Sequence, residues 1–590
     1  MSNFRGLAFG VLVISSLFVI FGDVEPWVQA LSLASLAVFA CLVAVHARVI
    51  DSEDEALRWL AVSRHGVDRC SELWKKFDGD GSRFADPDHD YSGDLDLFGP
   101  SSLFQRISTA HTLAGQDALA ALLCGDADLA AVSGRQQAAR ALSRDPEFCQ
   151  RFEVAALSSV EPSGSRTVGV SRPGNRPAAT PDPASLLNWA ETKAEVTVTA
   201  AAVWGSRLLP LMTVSAMLAT WLGGAPPFYW FGIVLHVIWL STVREQSGRY
   251  FAAVSQTQGV FRRFAPLLEL LEDHSFDSAH LRVLKEALRH EGRVASADMR
   301  RFERVVGWFE ARHNGMIYPF LNLVLLWDLQ CVLALETWRR DVGRDVRGWF
   351  DAVGQLEALA SLGTLAHDEP GYCWPEVVEG PPRLDTIDLA HPLLSGRVRV
   401  GNSASLDGGG CAMLVTGSNM SGKSTWLRSV GLGIVLALAG GPVCAEKLRL
   451  GPVRLRTSMR MSDSLDEGIS HFYAELRKIR VVLSDDDAGL PVFFLLDEIL
   501  HGTNSRERQI GARYVLDQLL QGGALGLVST HDIELCRLTA EKMQRVTQKH
   551  FRETVSDDVM SFDYQLREGP VSGGNALRLM RQIGIDVPLE

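Results

Sequence analysis

Two uninterrupted apolar runs open the chain. Gly6 to Phe21 (GLAFGVLVISSLFVIF) and Trp27 to Val45 (WVQALSLASLAVFACLVAV) carry no charge, and each approaches the ~20 residues a helix needs to cross a bilayer. A short turn containing Asp23, Glu25 and Pro26 joins them, with Arg5 before the first and Arg48 after the second. Basic outer flanks around an acidic turn predict a transmembrane hairpin over residues 1–50 with both ends in the cytoplasm. A secretory signal peptide is the alternative for the first run, but a second apolar run follows at once. A further uncharged stretch, Leu208 to Val243, is broken by Gly223-Gly224-Ala225-Pro226-Pro227, with Trp221, Tyr229 and Trp230 beside the break. This predicts a second transmembrane hairpin within 196–245, the alternative being a buried soluble hairpin. A third apolar run, Met316 to Leu335, contains Asp328; a carboxylate is costly inside a bilayer, so a soluble core helix is expected there.

Outside these runs the pattern is helical up to residue 381. Residues 51–195 start a helical region in which Leu57, Leu60, Ala61, Val67, Cys70 and Trp74 fall near one face, after the acidic patch Asp51 to Glu55. Within it, 161–183 is rich in Pro, Gly, Ser and Thr and reads as a linker. Residues 246–381 are again helical, with Phe264, Leu267, Leu268 and Leu271 at i, i+3, i+4 and i+7. From 382 to 590 short β-like runs separated by glycine predict an α/β domain.

Composition alters this picture in two respects. With 58 Lys+Arg against 70 Asp+Glu, the net charge of −12 excludes a whole-protein basic field for nucleic acid or anionic lipid, so any such binding must be local. The nine cysteines are scattered without paired spacing, which excludes a zinc or disulfide framework and fits buried thiols in a reducing compartment.

Chemistry concentrates in the last domain. The apolar run Cys411 to Val415 leads into Thr416-Gly417-Ser418-Asn419-Met420-Ser421-Gly422-Lys423-Ser424-Thr425, the G-x-x-x-x-G-K-[ST] spacing that makes a phosphate-binding loop between a strand and a helix. Its glycines let backbone N–H groups close around phosphate oxygens, Lys423 adds a charge at the β- and γ-phosphates, and Ser424 offers a hydroxyl to Mg²⁺. The run Val492 to Leu496 ends in Asp497 and Glu498, suited to a Mg²⁺-linked carboxylate and a water-orienting base respectively. Another run, from Gly526, ends in Ser529-Thr530-His531; His531 is placed to sense or polarise a γ-phosphate. ATP and Mg²⁺ are the expected ligands.

The combination of 417–425, Asp463-Ser-Leu-Asp-Glu-Gly468-Ile-Ser470-His-Phe472, Leu496-Asp-Glu-Ile-Leu-His-Gly502-Thr503-Asn504 and Ser529-Thr-His531 resembles the ATPase domain of MutS proteins. The likeness runs from Ala390-His391-Pro392-Leu393-Leu394 to Tyr564-Gln-Leu-Arg-Glu-Gly569-Pro570. It implies an ABC-type P-loop ATPase domain over 382–590 and a homodimer with composite sites, in which Ser470 reaches the nucleotide of the other subunit. Upstream, Asp94-Leu-Asp-Leu-Phe98-Gly99, Ser102-Leu-Phe104, Thr112-Leu-Ala-Gly115 and Arg135-Gln136 resemble the start of the MutS helical core, so the preceding regions read as an all-α core and lever interrupted by transmembrane hairpins. The mismatch-reading domain of that family, with its Phe-x-Glu wedge, has no counterpart before Phe77, and the chain's only Phe-x-Glu is Phe551-Arg552-Glu553, in the ATPase domain.

Two readings of the arms stay open. In one, a multi-pass membrane protein with a cytoplasmic ATPase couples ATP binding and hydrolysis to DNA binding in repair or recombination, with Arg282, Lys285, Arg289, Arg293, Arg300, Arg301 and Arg304 as candidate contacts. Alternating acids (Glu286, Glu291, Asp298, Glu303) make a solvated helical face the competing account of that patch. In the other, the arms act on a protein or envelope partner without DNA. An export transporter fits less well, because four short spans leave little machinery for a substrate path.

Overall fold

A computed structural model describes residues 2–21, 26–125, 129–160, 184–192, 199–255, 264–290, 292–309, 312, 315, 318–418, 420–459, 471–484, 489–501, 503–531, 545–556 and 559–570. The expected linker 161–183, together with Asn419, Ser470 and Gly502, lies outside the described residues. The chain divides into two units, residues 1–67 with 161–179 and residues 68–160 with 180–590.

The first unit holds helix Ser2–Phe21 and most of helix Pro26–Cys70. Proline suits the first turn of the second helix because its missing N–H would have no partner there. The pair lies side by side: the Phe9 and Phe39 rings are 5.5 Å apart, and the Ser16 and Ser32 hydroxyls share a hydrogen bond of 3.0 Å. Phe4, Leu7, Phe18, Trp27 and Leu33 are each more than half exposed. The second helix continues through Asp51 to Glu55 to Cys70, where the sequence reading set a boundary at residue 50; Glu, Ala, Leu and Arg after the patch favour helix and supply no stop signal.

In the second unit, helices Ala200–Gly223 and Tyr229–Ser255 form a hairpin. Of the four segments expected to span, two described helices are long and apolar enough to cross a membrane, Trp27–Cys70 and Ala200–Gly223, while Gly6–Val19 is a shorter apolar helix. Tyr229–Ser255 carries His236, Arg244, Glu245 and Arg249, which dilute its apolar character. The run read as one soluble core helix is two, Tyr318–Leu325 and Trp327–Val342, bent by 73° at a break of one residue, Leu326, whose φ is 52°. Apolar periodicity does not register such a break. Asp328, just beyond it, accepts hydrogen bonds from Arg312 and the Tyr318 hydroxyl, each at 2.7 Å, so its charge is compensated wherever the bend lies.

Helix Val346–Asp368 is the axis of the helical region and is buried on nearly every side. One face joins Trp338, Phe302, Leu268 and their neighbours in a helical core; Ala358, Leu362 and Leu365 belong to the core of the C-terminal domain. Helix Leu113–Cys124 crosses it closely at Gly354, where a Cβ would lie 2.6 Å from the Ala114 carbonyl oxygen. Buried Glu357 accepts from the backbone N–H groups of His111 and Thr112 at 3.0 and 3.3 Å and from the Thr112 hydroxyl.

Beyond a two-residue hairpin of β1 (Arg289–His290) and β2 (Arg293–Val294), the strands are β3 (Glu376–Val377), β4 (Arg383–Leu389), β5 (Asn402–Asp407), β6 (Cys411–Thr416), β7 (Lys447–Leu450), β8 (Arg454–Ser458), β9 (Val492–Asp497), β10 (Leu525–Thr530), β11 (Val546–Ser556) and β12 (Val559–Glu568). One sheet has the order β3-β7-β4-β5, the other β12-β11-β6-β10-β9-β8. In the larger sheet every pair is parallel except β11 with β12. Its central strands β6, β10 and β9 are near-continuous apolar runs, as expected of parallel strands covered on both faces.

Candidate functional site

Register assembles the site. Thr416 at the end of β6 lies opposite Thr530 of β10, and Ser529 lies opposite Asp497 of β9. The residues that follow, Gly417, His531 and Glu498, therefore emerge together at the carboxyl ends of adjacent parallel strands, where ligands of open α/β sheets bind. Gly417 to Gly422 form the connection to helix Lys423–Ala439, with φ of 150° at Gly417, 67° at Met420 and 107° at Gly422. A Cβ on Gly422 would stand 3.1 Å from the Tyr564 ring, so glycine is required there both for conformation and for space.

Lys423 lies at the start of that helix with its side chain only 4 % exposed. Its Nζ donates to the Gly417 and Ser418 carbonyl oxygens, both at 3.0 Å, and stands 3.9 Å from Glu498 Oε1. Burial pushes this ammonium below its ordinary pKa, against the opposing pull of Glu498, Asp497 and Glu553. His531 Nδ1 is 2.9 Å from the Gly417 carbonyl oxygen, and its Nε2 is 2.5 Å from Glu498 Oε1 and 3.4 Å from Lys423 Nζ. The His531–Glu498 hydrogen bond, ahead of the charges of His531, Lys423 and His501, holds the Glu498 carboxyl below the usual carboxylate range. Asp497 accepts from the Ser529 hydroxyl. Glu498 itself has a φ of 49°, an uncommon left-handed conformation for a non-glycine residue that turns its side chain out of strand alternation.

A cleft of about 410 Å³ opens beside these groups. Gly422, Lys423, Ser424, Thr425 and Glu498 line its polar end, and Leu394, Val398, Val400, Trp426 and Tyr564 give it an apolar wall. Two buried polar atoms, Ser421 Oγ and Trp426 Nε1, have no hydrogen-bond partner among the described residues; buried polar groups without partners mark places where a ligand or water completes the count. His391 also lines the cleft, and burial, reinforced by Arg428 and Arg106, lowers its pKa to about 4.

The structure thus brings together Gly417, Ser418, Met420, Ser421, Gly422, Lys423, Ser424, Thr425, Asp497, Glu498 and His531 from the sequence reading. Sequence reasoning missed His391, Asn402 and Tyr564 as cleft residues and Glu553 as a partner of the loop. Asn402 ties β5 to β12 through the Tyr564 carbonyl at 3.0 Å and the Leu566 N–H at 2.7 Å; nothing in its local sequence signals this. The candidate DNA contacts fare differently, because many are already engaged. Lys285 Nζ donates to the His274 carbonyl oxygen at 2.7 Å, Arg300 pairs with Glu269, and Arg301 and Arg293 face Asp341 at 3.5 and 3.9 Å.

Comparison with known proteins places this geometry in a family context. The profile of MutS domain V matches residues 413–588. The chain is 32% identical over 244 residues to a DNA mismatch repair protein MutS of Chlorobium phaeovibrioides, covering 40% of this chain and 27% of that protein. It is 34% identical over 183 residues to an Endonuclease MutS2 of Thermus thermophilus, covering 31% and 24% respectively. Against a DNA mismatch repair protein MutS 2 of Haloarcula marismortui the identity is 30% over 285 residues, 44% of this chain and 29% of the relative. The matched stretch spans less than a third of the length of each of these relatives.

Proposed function

Because its domain V makes this chain a member of the MutS family, we propose that it is a membrane-anchored P-loop ATPase of the ABC type that couples ATP binding and hydrolysis to movement of its helical region. The convergence of Lys423, Glu498 and His531 on one cleft, beside the unpartnered Ser421 Oγ, carries the reading. The loop and the first turn of helix Lys423–Ala439 present N–H groups to phosphate oxygens, and the apolar wall suits a nucleoside base. Ser424 and Asp497 offer a hydroxyl and a carboxylate, the hard oxygen donors that fit Mg²⁺ alongside phosphate and water. A Mg²⁺ held by Ser424 and Asp497 would supply charge neutralisation for a bound triphosphate.

Glu498 is tied to His531 and faces the Lys423 ammonium, so its carboxylate is already engaged. A triphosphate entering the cleft competes for Lys423 and His531 and frees Glu498 to orient a water molecule. Completion of the site by Ser470 of a second subunit, and hence a homodimer, follows the family resemblance. Lys423→Ala is expected to abolish ATP binding, whereas Glu498→Gln keeps binding and lowers turnover by at least about a hundredfold; wild-type turnover in both would sink the assignment.

Membrane anchoring rests on the apolar helices. The apolar windows of Trp27–Cys70 and Ala200–Gly223 are mostly exposed, a surface that calls for lipid, and the charged flanks favour the ATPase domain on the cytoplasmic side. For the arms, the relatives' names point to DNA, and a role in repair or recombination is the first proposal. A second reading, in which the arms engage a membrane or protein partner without DNA, is favoured by the engaged cations of residues 282–304 and by the exposed apolar tip of the hairpin at Trp221, Leu222, Phe228 and Phe231.

A further inference from the structure

The Phe551-Arg552-Glu553 segment lies on β11 beside the loop that precedes helix Lys423–Ala439. β11 runs parallel to β6 as far as His550, opposite Thr416, and its pairing with β12 then shifts register between Phe551 and Glu553. The irregularity lays the chain against the phosphate loop. A Cβ on Gly417 would stand 3.0 Å from the Phe551 carbonyl oxygen and 3.3 Å from its Cβ, so the two backbones meet where only glycine fits. Phe551 is 1% exposed and Glu553 5% exposed, which removes both from contact with any large external partner. The Ser418 hydroxyl donates to Glu553 Oε2 at 3.0 Å. Gly417 and Ser418 are thereby held from three directions: Lys423 and His531 grip the carbonyls, and Glu553 grips the Ser418 side chain.

We propose that Glu553 is a positioning residue for nucleotide binding: through Ser418 it braces the loop in the shape that presents its N–H groups to phosphate. The inference rests on the reading of this cleft as an ATP site. A hydrogen bond to a buried carboxylate is strong enough to set loop geometry, and a loop already held in its binding shape loses less freedom when phosphate arrives. Glu553 acts on the loop through the Ser418 hydroxyl, so its effect belongs in affinity rather than in the chemical step. Its charge also adds to those of Glu498 and Asp497 in favouring the protonated form of buried Lys423.

The test is a double-mutant cycle on the full chain in detergent, with ATP affinity measured by calorimetry and KM and kcat by phosphate release. Glu553→Ala and Ser418→Ala are each expected to weaken ATP binding by about tenfold with kcat changed less than about threefold, and the double variant to be no weaker than either single one. Glu553→Gln keeps an acceptor for the Ser418 hydroxyl and is expected to stay within about threefold of the parent in affinity. Multiplicative losses in the double variant, or unchanged affinity in both single ones, would overturn the brace. Should Glu553→Ala fail to fold, Ser418→Ala against Glu553→Gln decides the matter, because the brace requires the first to lose affinity and the second to retain it. Lys423→Ala measured in parallel separates the two claims. If it binds ATP normally, the nucleotide site falls and the brace with it; if it loses ATP while Glu553→Ala and Ser418→Ala do not, the brace alone falls.

Discussion

Replacing Asp94 tests how the helical region is tied to the ATPase domain. This carboxylate is 3% exposed and comes from the segment before helix Leu103–Ile107, yet all three of its partners below belong to the C-terminal domain. It accepts from the Thr457 hydroxyl at 2.8 Å, the Met459 N–H at 3.0 Å and Lys478 Nζ at 2.9 Å. Its neighbours continue the joint: Leu95 fills the notch over Gly431, and Asp96 faces Arg428 at 3.4 Å. In Asp94→Ala the three donors lose one acceptor at once, but not equally. Thr457 still has the Asp90 carbonyl oxygen at 3.2 Å, and Lys478, whose side chain is 37% exposed, can turn to water. The half-buried Met459 N–H has no second acceptor among the described residues. Hydrogen bonds to charged groups contribute about 1.5–3 kcal/mol each and an orphaned buried donor costs about 1–3 kcal/mol, so a net loss of about 3 kcal/mol is expected for Ala. Asp94→Asn keeps one oxygen acceptor but turns an amide NH₂ toward Lys478, for a loss of about 2 kcal/mol. The assay is amide hydrogen exchange at Met459, where 3 kcal/mol corresponds to roughly 150-fold faster opening. The interior of β10, which does not touch Asp94, serves as the reference. Acceleration at Met459 of less than about fivefold in Asp94→Ala would show that the carboxylate is not what secures the joint.

Further expectations concern the cleft and the arms. His391 is held neutral when folded, so between its ordinary 6.5 and about 4 the unfolded chain binds the extra proton and stability falls as pH falls; the full loss is about 3 kcal/mol, present below pH 4 and absent above 6.5. Since the Leu393 N–H donates to His391 Nδ1 at 3.3 Å, denaturant midpoints of the parent and His391→Gln measured at pH 7 and pH 4.5 are expected to diverge at the lower value, and equal pH dependence in both would refute this. Accessibility reporters at Ala225 and at the C-terminus are expected on opposite sides of the membrane; a cytoplasmic Ala225 would make the second hairpin a soluble or re-entrant element. If the arms hold DNA, binding falls steeply with salt, but joint neutralisation of Arg289, Arg293, Arg300 and Arg301 is expected to leave the salt slope within about one unit of the parent because Arg300, Arg301 and Arg293 already face acids; a drop of three units or more would return the patch to the interface.

The glycine-rich loop after β6, the two carboxylates after β9 and the histidine after β10 were legible in sequence because parallel buried strands are written as short apolar runs, and polar residues at their ends fall on one edge once the strands align. The long apolar runs within Trp27–Cys70 and Ala200–Gly223 were legible for a similar reason, since an uncharged stretch leaves a continuous signature. What the chain alone left undetermined was pairing across distance. The strand order β11-β6-β10-β9 decides that Lys423, Glu498 and His531 meet, and the register shift at Phe551 accompanies the approach of a Phe-x-Glu segment to Gly417 and Ser418. The break at Leu326 escaped because apolar spacing on either side of a left-handed residue is that of one helix. Acids interleaved with the arginines of 282–304 were visible in the sequence, but Glu269 and Asp341, which take up Arg300 and Arg301, come from other elements. A local pattern specifies what a segment prefers to bury or expose; which partner satisfies a charge or a hydrogen bond is set by residues tens to hundreds of positions away, and only the folded chain selects them.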